Sequence, residues 1–330
     1  MSSIQISVVA PVFNEEILLR DFYKRTAAAL KDYAFEILLV DDGSRDTSWQ
    51  IIAELSQKDP RVKGIGFSRN FGHQAALTAG LEHAAGEAIV LIDSDLQDPP
   101  EVIVDMIRKW QEGFDVVYGM RSERQGETWF KKTTASMFYK LLRKSSRMDI
   151  PLETGDFRLM SRAVVQALNQ LPERVRFLRG LSSWVGYRQT GIAYKRDKRA
   201  AGETKFPFFR MLTFAFDGIS SFSSIPLQLA SYLGLASTAL AFVTLAYSLF
   251  IRMFSNEVVK GWTSLMIGIF FMGGIQLLMI GVIGEYIGRI YEEVKRRPLY
   301  LANRFTGLQR HLSAPSTSGF DLPSSDPKHL

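Results

Sequence analysis

The N-terminal part of the chain alternates short apolar runs with amphipathic stretches. The apolar runs are nearly continuous in aliphatic residues, as in strands buried on both faces, and lie at 6–13, 36–40, 62–68, 88–93 and 115–119. Stretches with helical periodicity separate them, at 15–32, 46–57, 73–85 and 99–112. Regular alternation of strand and helix predicts an α/β fold with a doubly wound, mostly parallel sheet.

Two longer apolar segments follow, at 227–251 and 262–283, and neither carries a charged residue. A helix needs about 20 residues to cross a bilayer core, so both segments are long enough to span it. The alternative is a pair of buried helices in a soluble protein. Basic residues crowd the flanks at 195–210 and 289–297, which the positive-inside rule assigns to the cytoplasm. The pattern predicts a two-helix transmembrane hairpin.

These patterns divide the chain into a series of predicted regions. They are a cytoplasmic α/β domain at 1–205, interfacial amphipathic helices at 206–226, transmembrane helix 1 at 227–251, an external loop at 252–261, transmembrane helix 2 at 262–288, a basic cytoplasmic juxtamembrane segment at 289–312 and a disordered tail at 313–330. No apolar signal segment precedes the first strand, so we expect the N-terminal domain to lie in the cytoplasm. Together with the predicted hairpin, this gives a multi-pass membrane protein with both termini in the cytoplasm. Gly284 and Gly288 form a GxxxG motif, which is compatible with a homo-oligomer through the transmembrane helices.

Composition narrows the classes of partner and chemistry. The 330 residues carry a formal net charge of +6 and include no cysteine, which excludes disulfides and thiolate metal sites. Because the basic clusters adjoin apolar segments and lack a recognition motif, they favour anionic lipid, and we expect no nucleic-acid partner.

The fourth apolar run leads directly into Asp93-Ser94-Asp95, with Gln97 two residues further on. Two carboxylates this close are unfavourable unless a cation or hydrogen-bond donors stabilise them. Oxygen ligands favour hard cations, so the motif predicts a Mg²⁺ or Mn²⁺ site. The alternative is a solvated acidic turn, but the position at the end of a buried strand favours the metal.

Three other strands also end in polar sequence, one of them in Arg69-Asn70. Asp41-Asp42-Gly43-Ser44 follows the second run, and the first run ends with Pro11, Phe13 and Glu15, which offer an aromatic face and a carboxylate. In parallel α/β sheets, ligands bind at the carboxyl ends of the strands. The sequence therefore predicts a ligand site at this edge of the sheet.

Taken together, these motifs resemble those of the family-2 glycosyltransferases, which have the GT-A fold. With segments 154–158, 202–206 and 284–298, the chain is similar to the polyprenyl-phosphate glycosyltransferases, a group that includes dolichol-phosphate mannose synthases and bactoprenol glucosyltransferases. The resemblance covers about residues 5–305. One departure is Phe13, where the family usually has Tyr, so that stacking is kept and a phenolic hydrogen bond is lost.

The resemblance implies a role for each matching residue. The residues expected to bind the nucleotide sugar are Pro11, Phe13, Glu15, Asp41, Asp93, Ser94 and Asp95. The expected metal ligands are Asp95 and Gln97. The expected catalytic residues are Asp95, Asp156, Arg121 and Arg199. The residues expected to meet the lipid phosphate are Arg158, Arg199 and Lys205.

The implied reaction is the inverting, metal-dependent transfer of a hexose, with glucose favoured, from a nucleotide diphosphate sugar to undecaprenyl phosphate. It would take place at the cytoplasmic face of the bacterial inner membrane. A GDP-mannose-dependent mannose synthase is an alternative, as is a non-catalytic membrane module that binds nucleotide sugar. A processive polysaccharide synthase is disfavoured, because the chain lacks a Gln-x-x-Arg-Trp motif and further spans.

Overall fold

The computed structural model describes residues 4–121, 154–174, 176–196, 225–254 and 261–308. The strands are β1 (Ile6–Val12), β2 (Phe35–Asp41), β3 (Val62–Phe67), β4 (Ala88–Leu91), β5 (Val116–Arg121), β6 (Thr154–Ser161), β7 (Gln189–Tyr194) and β8 (Ala302–Thr306). The helices are α1 (Leu19–Ala29), α2 (Ser48–Lys58), α3 (His73–His83), α4 (Val102–Gln111), α5 (Arg162–Gln170), α6 (Leu178–Trp184), α7 (Ile225–Phe254) and α8 (Trp262–Lys295).

The chain forms two compact units. The first contains Met1–Val117, Phe157–Val165 and Pro298–Leu330, and the second contains Tyr118–Asp156 and Gln166–Arg297.

The sheet of the first unit has the strand order β6-β4-β1-β2-β3-β8. Strands β1 to β4 are parallel, whereas β6 pairs antiparallel with β4 and β8 pairs antiparallel with β3. Every residue of β1 and β2 is buried, as their continuous apolar runs predict. The mostly parallel α/β sheet predicted from the sequence is therefore confirmed.

Helix α3 packs unusually close to β1. A Cβ atom added at Gly80 would lie only 2.1 Å from Cγ1 of Val9, so the helix backbone rests directly on the strand. Small residues dominate this face of the helix, and Ala76, Ala79 and Gly80 are all buried. The position of α3 on the sheet is thus set by the absence of a side chain at Gly80.

A buried polar cluster joins the strands at the amino end of the sheet. Glu36 is 1% exposed and accepts hydrogen bonds from Ser7 Oγ at 2.5 Å and the Ala85 backbone N–H at 2.6 Å. Lys63 Nζ forms an ion pair with the same carboxylate. A buried charge that is both paired and hydrogen-bonded is retained at little cost, so this cluster has a structural role at the end of the sheet opposite the cavity described below.

In the second unit β7 hydrogen-bonds to β5, and the long helices α7 and α8 follow. The backbone N–H of Arg174 donates to Glu293 near the end of α8 at 2.8 Å. Among the described residues, one helical segment, Phe271–Lys295, is long and apolar enough to cross a membrane. Length and composition therefore support one candidate membrane-spanning segment within α8, and the two-helix hairpin stays a prediction.

The structure adds detail to the predicted C-terminal regions. Helix α8 continues to Lys295, beyond the boundary expected at 288, and β8 lies inside the segment 289–312, where no strand was predicted. The strand was missed because five residues of mixed polarity carry little periodicity of their own. The predicted interfacial region 206–226, up to residue 224, and the tail 313–330 lie outside the described residues, as does most of the loop 252–261.

Candidate active site

A cavity of about 310 Å³ opens at the carboxyl ends of the central strands of the first unit. This volume is at the lower end of the range for small-molecule sites. Its lining residues come from the segments that follow β1, β2, β3 and β4. They are Pro11, Val12, Phe13, Glu15, Asp42, Asn70, Gly72, His73, Asp93, Ser94 and Asp95.

Strand register explains why these residues meet. Val12 at the end of β1 is aligned with Asp41 at the end of β2, and Asp41 is aligned with Gly66 near the end of β3. Because parallel strands end at the same edge, the loops that follow them surround one space. This is the edge at which the sequence predicted a ligand site.

The acidic loop after β4 is held by one hydrogen bond to β1 and one within the loop. Ser94 is 3% exposed and its Oγ donates to the Pro11 carbonyl at 2.8 Å, which ties the loop to β1. Leu96 has φ +58°, a left-handed conformation that a residue with a side chain adopts at a cost of about 1 kcal/mol. The turn brings the Gln97 N–H to 3.1 Å from Asp95 Oδ1. The carboxylates of Asp93 and Asp95 thereby line one cavity.

His73 lines the cavity close to the acidic loop. It is the first residue of α3, and its Nε2 is 3.7 Å from Asp93 Oδ1. The preceding Gly72 has φ +101°, a conformation that favours glycine and that turns the chain into the helix. Gly72 and His73 were not predicted as site residues from the sequence. The signal that could have found them is a glycine followed by a polar residue at the start of a helix.

The loop after β1 is connected to the loop after β2 by several hydrogen bonds. Asn14, at φ +57°, donates its N–H to Ser44 Oγ at 3.0 Å and accepts the Arg45 N–H on Oδ1 at 2.9 Å. Its neighbours Phe13 and Glu15 line the cavity, and Phe13 is 45% exposed. An exposed aromatic ring held by such a loop is suited to stacking on a flat ligand group.

The two aspartates at the end of β2 have different environments. Asp41 is fully buried, and its carboxylate accepts hydrogen bonds from the Ser44 N–H at 3.0 Å and from Arg304 Nη2 at 2.9 Å. Asp42, the next residue, lines the cavity, whereas Asp41 is not among the lining residues. Successive side chains at a strand end point to opposite sides, so the first aspartate faces β8 and the second faces the cavity.

Asp42 is 3% exposed and accepts the backbone N–H groups of Phe71, at 2.7 Å, and Gly72, at 2.9 Å. Burial raises the pKa of the Asp42 carboxyl above its ordinary value, although these two hydrogen bonds oppose the shift. The carboxylate thus joins the end of β2 to the start of α3.

The other predicted residues are not among those that line the cavity, or are not described. In the second unit, Asp156 accepts two hydrogen bonds from Arg179, at 2.8 and 2.9 Å. Arg121 ends β5, and Arg158 lies on β6 with 3% of its surface exposed. Gln97 is not among the residues that line the cavity. Arg199 and Lys205 lie outside the described residues.

The oxygen donors that line the cavity fit a hard divalent cation whose remaining ligands come from water and a bound substrate. Within the described residues, no group of three or more His, Cys, Asp or Glu side chains could hold a metal ion by itself. Mg²⁺ in proteins is commonly bound by one or two carboxylates together with water and substrate phosphates. The oxygens of Asp93 and Asp95 match that requirement.

The mostly parallel sheet, with paired carboxylates on a cavity at its strand ends, fits a glycosyltransferase of the GT-A type. The sequence identifies the family within that class. The family model "Glycosyl transferase family 2" matches residues 7–168. The chain belongs to glycosyl transferase family 2, which confirms the family predicted from its motifs.

Relatives match nearly the whole chain. The chain is 51% identical over 308 residues to "Uncharacterized glycosyltransferase YkcC" of Bacillus subtilis, covering 93% of this chain and 95% of the relative. It is 46% identical over 302 residues to "Prophage bactoprenol glucosyl transferase homolog" of Escherichia coli, covering 91% and 99%. The "Bactoprenol glucosyl transferase" of Shigella phage SfII is also 46% identical, with coverage of 91% and 98%.

Solved structures match less of the chain. Glucosyl-3-phosphoglycerate synthase from Mycobacterium tuberculosis, solved with Mn²⁺, UDP and glucosyl-3-phosphoglycerate, is 20% identical with a TM-score of 0.47. The match covers 66% of this chain and 80% of that one.

Proposed function

We propose that this protein transfers glucose from a nucleotide diphosphate sugar to undecaprenyl phosphate, at the cytoplasmic face of the bacterial inner membrane. Relatives that bear the name bactoprenol glucosyl transferase, at 46% identity over about nine-tenths of the chain, support the donor sugar and the lipid acceptor. The observation that carries the proposal is the presence of Asp93 and Asp95 on one cavity with the exposed ring of Phe13.

The nucleotide would occupy the cavity between the loops that follow the strands. In this proposal Phe13 stacks on the base, while Pro11, Glu15 and Ser94 shape the cavity around the nucleoside. The predicted nucleoside contact Asp41 is buried and is hydrogen-bonded to Ser44 and Arg304. We therefore assign the hydrogen bond to the nucleoside to Asp42, which lines the cavity, and a supporting role to Asp41.

Asp95 would hold a Mg²⁺ or Mn²⁺ ion, with Gln97 beside it and Asp93 engaging the nucleotide. When bound, such an ion neutralises charge on the departing nucleoside diphosphate. The protein's own residues position the acidic loop for the donor. Ser94 fixes this loop to β1, and His73 faces Asp93 from α3. We expect a chelator to abolish transfer and added Mg²⁺ or Mn²⁺ to restore it.

The acceptor is a phosphate and is already anionic near neutral pH, so it needs little help from a general base. The protein's main task would then be to align two anionic substrates and to reduce their repulsion. We assign that task to Arg121, Arg158, Arg199 and Lys205. We assign Asp156, which Arg179 holds by two hydrogen bonds, to the acceptor side. A single displacement would invert the anomeric carbon.

The membrane part of the proposal is a hairpin of α7 and α8 with both flanks in the cytoplasm. The candidate span Phe271–Lys295 and the basic residues at the end of α8 support it. The Gly284 and Gly288 pair is the proposed contact for a homo-oligomer.

The test uses the full-length protein in membranes with undecaprenyl phosphate and a panel of labelled nucleotide sugars: UDP-glucose, UDP-galactose, UDP-N-acetylglucosamine and GDP-mannose. We expect a glucosylated lipid from UDP-glucose alone, with inverted anomeric configuration by NMR. A mannosylated product would favour the GDP-mannose alternative. Nucleotide binding without any lipid product would favour the non-catalytic module.

Asp95→Asn is the diagnostic variant, because it keeps the shape of the side chain and removes its charge. We expect transfer to fall about a hundredfold or more, since charge stabilisation at the reacting centre has that magnitude. The matched control is Asp105→Asn, an exposed carboxylate on α4 that pairs with Arg108 and lies outside the cavity. Equal activity of the two variants would remove the proposed role of Asp95.

A further inference from the structure

The strand β8 follows the long helix α8 in sequence but belongs to the sheet that carries the cavity. It pairs antiparallel with β3, with Ile65 opposite Phe305 and Gly66 opposite Arg304. The segment just before it is docked by Tyr300, whose ring stacks on the buried Phe67 at 4.8 Å between centroids. The Tyr300 hydroxyl also donates to Glu82. Several independent contacts therefore fix this C-terminal segment on the first unit.

Arg304 is the residue of β8 that reaches the end of β2. Its Nη2 donates to Asp41 Oδ2 at 2.9 Å, and its guanidinium lies 4.6 Å from the centre of the Trp49 ring. Asp41 is fully buried. Removal of the partner of a buried charge is strongly unfavourable, so the carboxylate depends on Arg304 to hold its position.

A chain of hydrogen bonds leads from Arg304 to the cavity. The other oxygen of Asp41 accepts the Ser44 N–H at 3.0 Å, and Ser44 Oγ accepts the Asn14 N–H at 3.0 Å. Asn14 lies between Phe13 and Glu15, which both line the cavity. Arg304 itself is not among the lining residues.

The turn that transmits this contact has little freedom. Gly43 has φ +70°, and a Cβ atom added there would lie 2.5 Å from the backbone carbon of Arg69. The turn is thus packed directly on the segment that follows β3. A displacement of Asp41 would move the Asp42 carboxylate and Ser44 together, because the two flank this one glycine.

We propose that Arg304 is a positioning residue for the nucleotide site, and that β8 is a working part of that site. Arg304 neutralises Asp41 and so fixes the loops that present Phe13, Glu15 and Asp42. The inference rests on the proposed function only in that the cavity must bind a nucleotide.

The test measures the affinity of the detergent-solubilised full-length protein for UDP by calorimetry. We expect Arg304→Gln to raise the Kd about tenfold, as for loss of one charged hydrogen bond, and Arg304→Lys to restore part of the affinity. With UDP-glucose as donor, the loss should appear in KM while kcat stays within about twofold.

Arg61→Gln is the matched control. Arg61 forms a similar pair with Asp59 in the same unit, at 2.7 Å, and its hydrogen bonds lower the pKa of Asp59 to about 2. Neither residue lines the cavity. We expect this variant to lower the melting temperature and to leave the Kd for UDP unchanged.

Each outcome is decisive. An unchanged Kd in Arg304→Gln, or an equal rise in Arg304→Gln and Arg61→Gln, would overturn the positioning role. If Arg304→Gln does not fold, Arg304→Lys decides, because an affinity equal to that of the wild type would count against the proposal. If the wild-type protein binds neither UDP nor GDP, it is the proposed function that fails.

Discussion

Adjacent identical residues at the end of β2 show how position assigns different roles to the same side chain. Asp41 is buried and hydrogen-bonded to Arg304 and Ser44. Asp42 lines the cavity and accepts hydrogen bonds from the backbone N–H groups of Phe71 and Gly72. The first carboxylate is held inside the protein beside the loop, and the second lines the cavity. A sequence motif of two aspartates therefore contains one supporting residue and one candidate contact.

Phe13 gives a prediction at the residue scale. Its ring is 45% exposed on the cavity, so its removal should leave the fold intact. Stacking of a base on an aromatic ring contributes about 1–3 kcal/mol, so we expect Phe13→Ala to raise the Kd for UDP about 5- to 150-fold. Phe13→Tyr should keep the affinity, because the ring remains.

The control is Ile17→Ala, which removes a side chain that is 74% exposed in the same loop and does not line the cavity. Titration calorimetry on the three variants separates the two effects. A weaker affinity in Ile17→Ala as well would indicate a general disturbance of the loop and not the loss of stacking.

At the scale of elements, the site depends on where α3 rests on the sheet. The helix begins at His73 and packs on β1 through Gly80. Close packing at Gly80 thus fixes the helix end that presents His73 to Asp93. The contact is indirect, but it positions one side of the cavity.

Gly80→Ala tests this packing. Alanine favours a helix by about 1 kcal/mol over glycine, but the added methyl would overlap Val9. Overpacking of this kind costs about 1–3 kcal/mol, so we expect a net loss of stability and a lower melting temperature. Thermal unfolding of the purified protein in detergent measures it.

Gly274→Ala is the control, because a Cβ atom at that position in α8 meets nothing within 4 Å. It should be neutral or stabilising. A rise in melting temperature for Gly80→Ala would contradict the packing argument, whereas recovery in the double variant with Val9→Ala would support it.

At the scale of the whole molecule, the prediction to be tested is the transmembrane hairpin. The hairpin prediction puts residues 252–261 outside and the α/β domain inside. The chain has no cysteine, so single cysteines report position without background labelling.

We expect Ser255→Cys to react with an impermeant maleimide in intact cells. Gln57→Cys, exposed on α2, should react only after the membrane is opened. Cytoplasmic location of both positions would rule out a hairpin and leave α8 as the candidate span.

Much of the central sheet could be predicted from sequence because burial on both faces leaves a continuous apolar run. The predicted run at 6–13 corresponds to β1 at Ile6–Val12, and the run at 62–68 to β3 at Val62–Phe67. Strands β6, β7 and β8 were not predicted, and of these β7 and β8 are edge strands. Partly exposed edges need no such run, so their sequences resemble loops.

The sequence by itself determined the order of strands β1 to β5 and helices α1 to α4, the acidic loop after β4 and the apolar segments, because each is encoded by residues that are close together in the chain. Only the tertiary structure decided that Arg304 reaches Asp41 across 263 positions, and that His73 faces Asp93. The physical reason is separation along the chain. Apolar periodicity and turn chemistry depend on residues a few positions apart, whereas the partner of a buried charge depends on how the whole sheet packs.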